Sequence, residues 1–171
     1  MRVLRFVIAL AAALLVHLVL VALVPPSARV LDPFLLAVAY LAMTSRPGGA
    51  AAQGAAIGLV HDGLSGGLYG LQGFACTLVG FVMARTVRLV DLHKSYYVAL
   101  YFACAVLLQQ LVLQGLLLLL TQQPEAIAPL DLLLRVALAG PAGALLVAGS
   151  EHLGETFRGW RARRRAEIFL E

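Results

Sequence analysis

Hydrophobic and polar positions along the chain fall into long apolar runs separated by short clusters of charge, proline and glycine. A spanning helix needs ~20 apolar residues at ~1.5 Å rise each. On that measure the pattern predicts helices over about 3–24, 31–45, 49–61, 71–88, 96–120 and 131–149. The first starts with Arg2 and Arg5 like a secretory leader, but its apolar run is too long for one. No small-x-small cleavage site precedes Pro25-Pro26, so the segment is expected to stay as an anchor. In the last run, Pro141 lacks an amide proton and is expected to kink the helix.

The runs 31–45 and 49–61 are short, and fit either two tilted crossings or one re-entrant hairpin shielded by protein. The hairpin would leave Arg46 at membrane depth, where a central charge costs at least ~2.5 kcal/mol. That cost favours two crossings. The expected fold class is therefore an all-α integral membrane protein with six transmembrane helices, one domain over 1–150 and a basic amphipathic cytoplasmic tail over 151–171. In that tail Leu153, Phe157 and Trp160 share a helical face, followed by Arg161, Arg163, Arg164 and Arg165. The arrangement suits the anionic inner surface of a membrane.

Composition supports the same reading, since 61% of the 171 residues are hydrophobic and 13% are charged, against ~25% charged in a soluble chain. Charge also sets the orientation, because cytoplasmic loops collect Lys and Arg. With both termini inside, Arg2, Arg5, Arg46, Arg85, Arg88, Lys94 and the five arginines from 158 to 165 are cytoplasmic, leaving only Arg29 and Arg135 outside. A membrane protein with an even number of crossings and both termini cytoplasmic is expected. Nucleic acid is not an expected partner, because the basic residues end in one terminal cluster with no aromatic platform.

Chemistry-bearing residues gather at the end of the third run: His61, Asp62 and Ser65 among Gly63, Gly66, Gly67 and Gly70. A hydrolytic triad needs the histidine between nucleophile and acid, which sequence neighbours do not supply, and no Gly-x-Ser-x-Gly elbow is present. His61-Asp62 also lacks a ligand-type partner one turn away, so no metal, cofactor or catalytic residue is expected. The favoured role for Asp62 is to end the helix and accept amide hydrogens from the glycine-rich turn. No acid is expected in the deep interior of the bundle.

Ala50, Gly54, Gly58 and Asp62 recur every fourth residue on one helical face, and Gly73, Thr77, Gly80 and Ala84 form a similar stripe on the next helix. Small residues let helix backbones approach where lipid offers no hydrophobic drive for association. The stripes serve internal packing or a partner interface, with packing favoured. Gln109, Gln110 and Gln114 are expected to act as interhelical hydrogen-bond glue. Cys76 and Cys104 sit in apolar runs with no CxxC spacing and read as packing residues.

The segment from Pro33 through Leu41, followed by Gly54-x-x-x-Gly58-Leu-Val-His-Asp62-Gly-Leu-Ser65-Gly66-Gly-Leu-Tyr-Gly70-Leu, resembles the MreD family of rod-shape-determining membrane proteins. The family similarly starts its second helix with proline and ends a glycine-rich third helix in an Asp-x-x-Ser-Gly turn. The apolar residue common before that Asp is replaced by His61. The resemblance implies a non-enzymatic scaffold of the cell-elongation machinery that supports peptidoglycan synthesis. Its implied partners are MreC, MreB, RodA, a penicillin-binding transpeptidase and the lipid bilayer. It makes Pro33, Gly54, Gly58, Asp62, Ser65, Gly66, Gly70, Gly73 and Gly80 the structural or partner-interface candidates. It also implies an architecture similar to the S components of ECF vitamin transporters, so a small-molecule binder is the alternative.

Overall fold

The computed structural model describes residues 2–23, 31–66, 69–89, 95–121 and 129–168, with side chains over 3–23, 31–66, 69–89, 96–120 and 130–150. These residues form six helices and no strand: α1 (Arg2–Leu23), α2 (Pro33–Thr44), α3 (Pro47–Ser65), α4 (Leu71–Thr86), α5 (Ser95–Thr121) and α6 (Pro129–Ile168). Three contain stretches long and apolar enough to cross a membrane, Val3–Leu23, Tyr96–Leu120 and Leu130–Ser150, while Pro33–Thr44 and Leu71–Thr86 are shorter apolar helices.

α2 is the centre of the bundle. Its 12 residues are apolar around the full circumference, and Pro33 to Ala39, Leu41 and Ala42 are all buried. A helix of that kind has no face to give to solvent, so it must be covered on every side. Phe34, Ala37, Val38 and Leu41 pack toward Ala13 of α1, Ile57 of α3 and Cys76 of α4. Leu35, Leu36, Ala39 and Ala42 pack toward Val79 and Met83 of α4, Tyr101, Phe102 and Val106 of α5, and Ala139 of α6. α1 covers one side with a narrow stripe, and its Val3, Leu4, Leu15 and Leu18 are more than half exposed. Such surface is stable against lipid rather than water.

Two hydrogen bonds set the register of α2 on α5. The Tyr101 hydroxyl donates to the Ala39 carbonyl at 3.0 Å, and the Gln109 amide donates to Asp32 at 3.2 Å. The two helices are thus antiparallel, and α2, ~18 Å long, lies beside the first half of α5, which is ~40 Å long. The start of α2 falls near the midpoint of α5.

Two boundaries differ from the sequence pattern. The third helix continues past 61 to Ser65, because Gly66 can take the left-handed conformation that ends it, with φ of 64°. Asp62 is therefore inside the helix. The last helix runs unbroken from Pro129 to Ile168, with Pro141 inside it; the side chains of the basic tail lie outside the described residues, as do Ser27, Arg29, His93 and Lys94.

Candidate functional site

The two small-residue stripes face each other. A Cβ built on Gly54 would fall on the carbonyl of Cys76, one on Gly58 on the backbone of Gln72 and Gly73, and one on Gly80 within 2.6 Å of the carbonyl of Ala50. Backbone contact at this range needs glycine on the approaching face. The stripes that carry the family resemblance are thus used within the chain, pressing α3 onto α4.

Asp62 completes that contact. It is 3% exposed. Its Oδ2 accepts from the amides of Gly70 and Gly73, both at 3.0 Å, and its Oδ1 from the amide of Gln72 at 3.1 Å. These amides open α4, where the first N–H groups of a helix have no partner inside it. The carboxylate of α3 therefore caps the following helix, and negative charge at a helix N-terminus is favourable. Gly70 takes a φ of 93° to bring its amide round, a value that suits glycine alone. A Cβ built on Gly73 would make an ordinary contact with Asp62 Oδ2 at 3.5 Å and crowd the Leu59 side chain at 3.2 Å. Ser65 is exposed and donates to the carbonyl of His61 within its own helix, at 2.8 Å.

Asp32 is a second acid at the same end of the bundle. As N-cap of α2 it accepts from the amides of Phe34 and Leu35 through Oδ1, at 2.9 and 3.2 Å, and Pro33 follows in the first helical turn. Its Oδ2 accepts from Gln109, whose amide also donates to Gln72 Oε1 at 3.2 Å. Asp62, Gln72, Gln109 and Asp32 thus form one polar chain linking α3, α4, α5 and α2. The expectation of an acid-free interior is corrected here, because the carboxylates stand where helix N-termini supply the donors that solvent would otherwise provide. Gln109 acts between helices as expected of the glutamines.

His61 stacks on Phe34 with ring centroids 4.8 Å apart, and His17 stands edge-on at 6.0 Å. Its Nδ1 is 3.8 Å from Asp32 Oδ2, too long for a hydrogen bond, and is buried without a partner among the described residues. No group of three or more metal-ligating side chains occurs among the described residues.

Behind Asp32 lies a cavity of about 50 Å³ lined by Asp32, Gln72, Gln109, Gln110 and Arg135 together with leucines of α2 and α5. Sequence pattern missed two of these residues. Asp32 was signalled by an acid immediately before Pro33, a helix-start pattern. Arg135 was assigned to the outer loops, although its Nε is buried without a hydrogen-bond partner among the described residues.

No curated protein and no solved structure matches the chain. A family model described as rod shape-determining protein MreD matches residues 1–139. The chain belongs to the MreD family.

Proposed function

We propose that this protein is a non-enzymatic membrane scaffold of the machinery that sets rod shape. It crosses the inner membrane six times with both termini in the cytoplasm, as one domain over 1–150 with a cytoplasmic tail over 151–171. MreC is its direct partner, and RodA, a penicillin-binding transpeptidase and MreB complete the assembly that supports peptidoglycan synthesis. The observation that carries the reading is family membership across most of the chain. The site chemistry is consistent with it. Asp62 and Asp32 hold the amides that open α4 and α2, and Gln109 bridges Asp32 to Gln72. The solute-binding alternative gains no support from the cavity, because about 50 Å³ falls short of the ~300 Å³ at which drug-sized ligands begin to fit.

Purification in mild detergent with mass spectrometry of everything retained tests the scaffold. A stoichiometric single-span protein with a large periplasmic region is the expected companion. A bound vitamin or an ATPase pair in its place would overturn the reading. Topology has its own test, because the charge distribution places 45 and 95 inside and 27 outside. Single cysteines replacing Ser45 and Ser95 should react with an impermeant thiol reagent only from the cytoplasmic side, and one replacing Ser27 only from outside. Outside labelling at 45 would reduce the number of crossings, and outside labelling at 95 would reverse the orientation.

A further inference from the structure

Arg135 and Asp32 line one cavity without forming an ion pair among the described residues. Asp32 is anchored by two backbone amides and Gln109, and its Oδ2, which accepts one hydrogen bond and stands 3.8 Å from His61 Nδ1, retains acceptor capacity at the cavity wall. Arg135 is half-buried, and its Nε is buried without a hydrogen-bond partner among the described residues. A buried N–H of a charged group is costly to leave unpaired, so a partner that completes its hydrogen bonds is favoured. The remaining polar lining, Gln72, Gln109 and Gln110, is uncharged, so the wall carries one positive and one negative group. A lone anion or a lone cation would leave that wall unbalanced. A zwitterion sets each end beside its opposite.

Size and placement narrow the class further. A cavity of about 50 Å³ takes the polar end of a headgroup and not a vitamin-sized molecule. It lies where α2 and α4 begin, level with the middle of α5, and Leu111, Leu134 and Leu138, each next in sequence to a lining residue, are 73%, 43% and 48% exposed. Apolar side chains there favour a ligand that brings acyl chains with it. The planar fork of arginine matches phosphate oxygens, and an acid with a free lone pair matches an ammonium that still has hydrogens to donate.

We propose that the cavity between α2, α4, α5 and α6 binds an ethanolamine-phosphate zwitterion, with the phosphate at Arg135 and the primary ammonium at Asp32, supplied by a phospholipid. The proposal stands apart from the scaffold reading, since a scaffold need not hold a lipid.

The test uses the full-length protein in nanodiscs made from equal parts phosphatidylethanolamine, phosphatidylcholine and phosphatidylglycerol, with native mass spectrometry of the lipid retained after stripping. Phosphatidylethanolamine should be enriched over phosphatidylcholine, whose quaternary ammonium has no hydrogen to donate, by about tenfold, the scale of one charged hydrogen bond. Arg135→Gln should abolish the enrichment, and Arg135→Lys should keep part of it. A thermal-shift series of the wild type in each single lipid reads the same preference without any variant. Free phosphoethanolamine added to lipid-poor detergent separates the sources. Stabilisation by the free zwitterion alone, matching that by the lipid, would assign the same chemistry to a soluble ligand and overturn the lipid source. Equal retention of all three lipids would leave only a hydrated cavity, and preference for phosphatidylglycerol would make it an anion site; either result overturns the proposal.

Discussion

Gly58→Leu is expected to remove the folded protein from the membrane fraction rather than to loosen an assembly. A Cβ at that position already meets the Gln72 carbonyl carbon at 2.8 Å and the Gly73 Cα at 2.7 Å, and backbone cannot swing aside as a side-chain tip can. α3 would have to separate from α4, which releases the amides held by Asp62 and loses the dispersion contacts that hold helices together in lipid. Overpacking of a tight core costs ~1–3 kcal/mol per insertion, and a leucine against two backbone segments exceeds that range. Fluorescence-detected size exclusion should show an aggregated or absent peak for Gly58→Leu, and the same for Gly54→Leu. Gly49→Ala is the control, with nothing within 4 Å of its Cβ position. A Gly58→Leu protein that expresses and melts normally yet loses its partner would show that the close approach is made between molecules.

Asp62→Ala should be the most destabilising single change among the polar residues. An exposed N-cap is worth ~0.5–2 kcal/mol, but Asp62 is 3% exposed and satisfies three amides. Leaving a buried donor unpaired costs ~1–3 kcal/mol, so a total loss of ~3 kcal/mol or more is expected even if one amide finds a new acceptor. For a chain of this size that is a drop of roughly 6–12 °C in melting temperature, measurable by thermal unfolding in detergent. Asp62→Asn keeps acceptor oxygen and should fall between. Ser65→Ala, which removes an exposed hydroxyl bonded within its own helix, should change little. A melting temperature unchanged by Asp62→Ala, with loss of a bound small molecule, would make Asp62 a recognition group instead.

The class of protein and the faces of its helices were legible without coordinates, because both are recorded in periodic composition. Apolar runs of membrane length announce the solvent they need, and Gly54, Gly58, Gly73 and Gly80 at helical spacing mark close approach whatever lies opposite. The period names a face and not the neighbour that covers it. Only tertiary structure set Gly58 against Gln72 and Gly80 against Ala50, which made the stripes internal. Asp62 was readable as an acceptor for glycine-turn amides, yet its burial was not, since it follows from α3 continuing to Ser65 and from the start of α4 folding back over it.

The polar chain through Asp32 and Gln109 was the least legible feature. These residues are 77 positions apart, and a hydrogen bond at that separation leaves no local period. Arg135 shows the same limit from the other direction. Six residues into α6, it reads by charge as an outer-loop cation, but antiparallel packing of α6 on α5 carries it to the level of Asp32 and buries its Nε beside the cavity. Local sequence determined which segments are apolar enough to enter a membrane and which of their faces can touch. The lengths and offsets of helices packed side by side decided which polar groups meet at one depth, because that alignment is a property of pairs of helices and is encoded in neither one alone.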